Sequence, residues 1–157
     1  MEQSIKELEI VNYDDRYQKE FRELNLAWLD SYGLTESHDL EVLDDPESMI
    51  LNKGGFLWLA LIDGKVIGSI ALVPEHDDIG ELAKMSVAPG YRGRGIAGKL
   101  IETCIAKARE MKMNKLILFS NHQLETAIKL YRKYGFQFVK VEDSPFETAD
   151  VKMELIL

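Results

Sequence analysis

Apolar positions change period several times along the chain, and each change marks an element. An opening strand is expected over residues 4–11. Tyr17, Phe21, Leu24, Trp28 and Tyr32 then recur at helical spacing and fall on one face of a helix. Asp14 or Asp15 supplies its N-cap and Gly33 its stop. Residues 34–53 are acidic and interrupted by Pro46, and read as a loop with one or two short helical turns. Two strand-like runs, 56–62 and 65–73, flank Asp63-Gly64, a strong hairpin signal.

A second turn at 75–79 leads into a strand ending near Val87. Leu100, Ile101, Cys104, Ala108 and Met111 return to helical spacing. A strand at 115–119 and a helix at 123–134 follow, with Gly135 as the helix C-cap. The chain closes with strands at 136–141 and 151–157. In the second, Val151, Met153, Leu155 and Leu157 alternate with Lys152, Glu154 and Ile156.

The stretch with most chemistry lies between the strand ending at Val87 and the helix of Leu100. It reads Pro-Gly-Tyr-Arg-Gly-Arg-Gly-Ile-Ala-Gly-Lys over residues 89–99. A strand, a glycine turn and a helix start make an anion site, because the first helical turn has unpaired N–H groups and the positive end of the macrodipole. Arg92, Arg94 and Lys99 add local positive charge to a chain of formal charge -8. That reversal of sign points to a phosphorylated ligand.

Three patterns fit these residues. Gly93-Arg-Gly95-Ile-Ala-Gly98 matches the dinucleotide fingerprint G-x-G-x-x-G, but the next strand ends in Ser120-Asn121-His122, without the carboxylate that would hold a ribose. Gly93 to Lys99 matches a P-loop except that Leu100 stands where a magnesium-binding hydroxyl belongs. The third reading is [QR]-x-x-G-x-[GA], carried by Arg92, Gly95 and Ala97. With the preceding strand, Leu82-Ala-Lys-Met-Ser-Val87, and the later run Ala127-Ile-Lys-Leu-Tyr131-Arg-Lys-Tyr-Gly135-Phe136, it resembles the GNAT N-acetyltransferase superfamily. The likeness is closest over residues 81–139.

The resemblance implies one domain over residues 1–157 with the GNAT fold: an α/β chain with a mixed, mostly antiparallel sheet of about seven strands and helices on both faces. It implies an acetyl-CoA-dependent N-acetyltransferase acting by direct transfer in a ternary complex. A non-catalytic acyl-CoA-binding or sensing module on the same fold is the alternative. Main-chain groups of Met85, Ser86 and Val87 would align the pantetheine arm, and amides from Arg92 through Gly93, Arg94, Gly95, Ile96, Ala97 and Gly98 to Lys99 would hold the pyrophosphate. Tyr131 matches the family tyrosine near the sulfur, where a phenol can protonate the departing thiolate. Its spacing with Leu124, Ala127 and Ile128 also fits a core aromatic. Glu81 matches a position from which some members present a base, with His122 and His76 as chemical alternatives. The usual cofactor-contacting Asn is replaced by Leu124. Asn121 either takes over that contact or caps the strand-to-helix turn.

Composition narrows the remaining classes. The 157 residues, 46% hydrophobic and 29% charged, suit one globular domain. A pI near 4.9 argues against nucleic acid as a partner. The longest apolar run is far short of the ~20 residues of a membrane span, and the N-terminus has no signal-peptide pattern. A single cysteine, Cys104, cannot form an internal disulfide, and the chain suits the cytoplasm. On an apolar helix face, Cys104 reads as a small buried hydrophobe. No His/Cys/Asp spacing suggests a metal. The acceptor would be a small-molecule or peptide amine. Acidic crowding at 36–47 and 142–150, segments that the family places beside the acceptor cleft, predicts a cationic one. Whether two copies pair as a homodimer stays open.

Overall fold

The computed structural model describes residues 7–142 and 144–157. Its elements are β1 (Leu8–Asn12), α1 (Gln18–Tyr32), α2 (Ser37–Asp44), α3 (Pro46–Met49), β2 (Phe56–Ile62), β3 (Lys65–Pro74) and β4 (Ile79–Val87), followed by α4 (Ile96–Glu110), β5 (Lys115–Ser120), α5 (Glu125–Lys133), β6 (Gln137–Val139) and β7 (Val151–Ile156). The strands form one sheet in the order β1-β2-β3-β4-β5-β7-β6. Among the described residues only β4 and β5 pair in parallel; the other neighbours are antiparallel. This is the mixed seven-stranded sheet that the resemblance implied.

Strand β2 shows why its run is apolar without a break. Leu57, Leu59 and Leu61 pack with Phe21 of α1 and with Val42 and Leu43 of α2. Trp58, Ala60 and Ile62 face the opposite way, into a second core with Leu100, Ile101 and Cys104 of α4 and Tyr131 of α5. Helices cover both faces, so both sets of alternate residues must be apolar.

Two boundaries differ from expectation. Residues 34–53 are largely helical, not a loop. Glu36 and Asp39 form a reciprocal capping box at the start of α2, and the Asp45 carboxylate caps α3 by accepting from Ser48 N–H. Acidic residues at helix starts satisfy otherwise unpaired amides, so the acidity that suggested a loop is part of the helix signal. The closing hairpin is shorter than expected on its first arm, since β6 ends at Val139. The predicted opening strand falls partly outside the described residues; within them it spans Leu8–Asn12.

Candidate active site

The site begins where β4 and β5 separate. They pair only at Ile79–Lys115, Gly80–Leu116 and Glu81–Ile117. Beyond that point β5 continues beside β7 as far as Ser120, whereas β4 turns away and has no strand partner on its β5 side among the described residues. A bulge drives the divergence. The β3–β4 register shifts between Ser69 and Ala71, and Lys84 takes a left-handed backbone conformation with φ 52°. The extra residue inverts the alternation, so Leu82 and Met85 both enter the α4 core although three positions apart.

A buried polar network pins the bulge. The Ser69 hydroxyl donates to the Lys84 carbonyl at 2.7 Å, Asn25 Nδ2 donates to Ser69 Oγ at 3.1 Å, and Ser86 Oγ donates to Asn25 Oδ1 at 3.2 Å. These bonds join Asn25 of α1, Ser69 of β3 and Lys84 and Ser86 of β4, so the three elements are fixed together. Buried hydroxyls and amides must find partners, and here those partners hold an irregular strand in place.

The opening contains a cavity of about 120 Å³ whose lining includes Glu81, Lys84, Met85, Phe119, Asn121 and Tyr131. Glu81 is half-buried. Burial, then the charge of Glu75, pushes its carboxyl up to about 7, against the opposing influence of Lys84. Tyr131 packs edge-on against Phe136 with ring centroids 5.8 Å apart, and burial holds its phenol well above the ordinary range, so it is protonated at neutral pH. Tyr131 is thus both a core aromatic and part of the cavity wall.

Asn121 has both halves of its amide engaged. Nδ2 donates to the Thr148 carbonyl at 2.7 Å and Oδ1 accepts from Gln123 N–H at 3.0 Å. These bonds cap the strand-to-helix turn while the residue borders the cavity. His122 lies outside the cavity, with Nδ1 2.5 Å from Asp150 Oδ2, and His76 reaches only an outer cleft. Cys104 is fully buried with its thiol pushed up to about 12 by burial, which leaves it inert.

The glycine loop follows β4 directly. Gly93 and Gly95 have φ of 79° and 78°, and nothing lies within 4 Å of where their Cβ atoms would stand. Glycine is required there by backbone conformation rather than crowding. Gly95 is the N-cap of α4, and the amides of Ile96, Ala97 and Gly98 open outward from its first turn. The three cations are not equivalent. Arg92 folds back, donating from Nε to the Val87 carbonyl at 3.0 Å with its guanidinium 4.7 Å from the Trp28 ring centroid. Arg94 lies over Tyr91 at 5.2 Å, and Lys99 is exposed. Open amides, Cβ-free space and two exposed cations suit a diphosphate.

Sequence reasoning missed Lys84 and the structural bonds made by several acidic residues. Lys84 Nζ stands 2.5 Å from Asp39 Oδ1, with side chains only 8% and 4% exposed. Glu36 accepts from Glu147 N–H, Thr148 N–H and Thr148 Oγ1 at 2.9, 2.8 and 2.5 Å. Asp44 pairs with Arg22, and Asp150 with His122. Of the carboxylates in the acidic segments, Glu36 ties α2 to the β6–β7 loop and Asp39 ties it to β4. A lysine within a nearly apolar strand was the available signal for a buried partner.

Comparisons with known proteins agree with this architecture. The acetyltransferase (GNAT) family model matches residues 5–136. The chain is 35% identical over 124 residues to a probable N-acetyltransferase camello of Xenopus tropicalis, covering 73% of this chain and 57% of that protein. It is 33% identical over 115 residues to the uncharacterized N-acetyltransferase YjgM of Escherichia coli, covering 69% of each. The chain therefore spans little more than half of the first relative's length and about two thirds of the second's. A GNAT acetyltransferase structure from Staphylococcus aureus superposes with a TM-score of 0.87 at 25% identity, over 94% of this chain and 98% of that one. The PaiA N-acetyltransferase of Thermoplasma acidophilum, solved with coenzyme A, shares the fold with a TM-score of 0.76 at 18% identity, over 96% and 99% of the two chains. The strand order, the split between β4 and β5 and the glycine loop are those of a chain that belongs to the GNAT acetyltransferase family.

Proposed function

We propose that the protein transfers an acetyl group from acetyl-CoA to a primary amine, directly, within a ternary complex. One observation carries the reading: a carboxyl raised to about 7 and a protonated phenol line the same cavity, at the point where β4 separates from β5. Acetyl transfer to an amine requires a base for the entering nitrogen and an acid for the departing sulfur, and Glu81 and Tyr131 have matching protonation states.

In this reading the segment from Arg92 to Lys99, with the amides of Ile96, Ala97 and Gly98 open at its helix start, holds the diphosphate, and the main chain of Met85, Ser86 and Val87 aligns the thioester beside the cavity. The Glu81 carboxylate takes a proton from the acceptor ammonium. The free nitrogen attacks the carbonyl carbon, and main-chain N–H groups of the unpaired β4 edge stabilise the oxyanion. The C–S bond then breaks, Tyr131 O–H protonates the thiolate, and the second proton of the attacking nitrogen restores the phenol while Glu81 sheds the first to solvent. The reaction releases CoA and an amide. Asn121 acts here by holding the cavity wall.

Initial-rate measurement of CoA thiol release with a panel of amines tests the proposal. Intersecting double-reciprocal lines are expected for direct transfer. Tight acetyl-CoA binding without acceptor-dependent thiol release across the panel would favour a sensing module instead.

A further inference from the structure

Resting on the proposed reaction, the chemistry of the outer cleft bears on the acceptor. The cleft, about 480 Å³ in volume, lies on the α2 face of the sheet and shares Glu81, Lys84, Phe119 and Phe146 with the inner cavity. An acceptor entering through it brings its amine to Glu81 and leaves the rest of its skeleton in the cleft. The charged lining consists of Lys53, Lys84, Lys115 and Lys152 against Glu75 and Glu81, with His38 and His76 besides. This is a local excess of cations in a chain of net charge -8.

Two of the lysines are matched. Lys84 pairs with Asp39 at 2.5 Å, and Lys115 with Glu154 at 3.1 Å. Lys53 and Lys152 have no carboxylate partner among the described residues. Lys152 Nζ stands 5.4 Å from the centroid of Phe119, the aromatic that borders both spaces. Lys152 is half-buried, and an ammonium over an aromatic face without a counter-anion among the described residues has a place for an incoming anion.

We infer that the acceptor is a primary amine whose own skeleton carries a carboxylate, and that Lys152, with Lys53 across the cleft, receives that carboxylate. This reverses the cationic acceptor expected from composition, since Glu36, Asp39, Asp44 and Asp150 of the acidic segments are held in structural bonds.

The experiment compares matched acceptors: a series of α- and ω-amino acids, their carboxamides, the corresponding decarboxylated amines and short peptides. The amino acids should exceed their carboxamides in kcat/KM by about 10-fold to 100-fold, the range for a hydrogen bond to a charged group. Lys152→Gln should remove most of that preference by raising the acceptor KM, leave the acetyl-CoA KM unchanged, and be rescued by Lys152→Arg. Calorimetric binding of the amino acid to the enzyme–CoA complex should fall in parallel. Turnover that favours the carboxamide or the decarboxylated amine would overturn the inference and leave the reaction intact. Lys152-dependent binding of the amino acid without acetyl transfer would overturn the reaction and leave the inference standing. A preference confined to peptides with free N-termini and blocked C-termini would also overturn the inference.

Discussion

A Cβ placed on Gly98 would come within 2.8 Å of the Tyr134 hydroxyl oxygen, which itself donates to Glu102 at 2.5 Å. The last glycine of the loop thus meets the helix that carries Tyr131. In an open helix Gly98→Ala would stabilise by up to ~1 kcal/mol. Here the substitution is expected to destabilise, by about 1 kcal/mol, because the rigid phenol must move and its bond to Glu102 lengthens. In a Tyr134→Phe background the nearest remaining ring carbon is 3.7 Å away, so the same change should become neutral or stabilising. Chemical denaturation of the four proteins in a double-mutant cycle measures this coupling. Additive effects would show that the contact is slack.

Glu81 sets a pH dependence. With its carboxyl near 7, the ionised base appears as pH rises, so kcat/KM should climb with an apparent pKa near 7 and lose that limb in Glu81→Gln. The stability effect has the opposite sign. A carboxyl raised above its ordinary value favours the protonated native state, so its contribution is present at acid pH and lost as pH rises from about 4.5 to about 7. Glu81→Gln should therefore gain stability relative to the parent at pH 8 but not at pH 4. A pH-independent difference between the two would contradict the assignment.

Tyr131→Phe removes one oxygen and keeps the edge-on packing against Phe136. It should lower kcat by about one to three orders of magnitude, the range of general-acid contributions broadened by water substitution, while acetyl-CoA affinity stays nearly the same. An unchanged kcat in a folded variant would leave Tyr131 as a core aromatic alone.

Asp39 is expected to matter for stability rather than acceptor capture. Asp39→Asn leaves the Lys84 ammonium buried without its counter-charge, which typically costs about 3–5 kcal/mol. Asp39→Leu combined with Lys84→Met should recover most of the loss. Thermal denaturation checks both, and a single variant as stable as the parent would show that the pair is not closed in solution.

These cases also show what the chain made legible. The unbroken apolar run of β2, the alternation in β7, the hairpin at Asp63-Gly64 and the glycine loop are local patterns, and each appeared where expected. The bulge at Lys84 was not readable, because it depends on Ser69 and Asn25, which lie 15 and 59 positions away in the chain and meet it only in the folded sheet. The bonds made by the acidic segments were hidden for the same reason. Charge can be counted along a sequence, but whether a carboxylate faces solvent, as an attractor must, or an amide and a lysine, as Glu36 and Asp39 do, is decided by tertiary contacts.

The central claim, that the loop after β4 holds the diphosphate of acetyl-CoA, is tested most directly by calorimetric titration of acetyl-CoA into the parent and Gly95→Asp. Asp tolerates a left-handed backbone better than most residues, and nothing crowds position 95, so the variant should remain folded. Its carboxylate would stand where phosphate oxygens belong. Micromolar binding to the parent, weakened at least ~100-fold in a variant of similar melting temperature, is the expected result, since one close like charge in a desolvated site costs several kcal/mol. Equal affinity in the two proteins, or no binding to the parent at millimolar acetyl-CoA, would contradict the account.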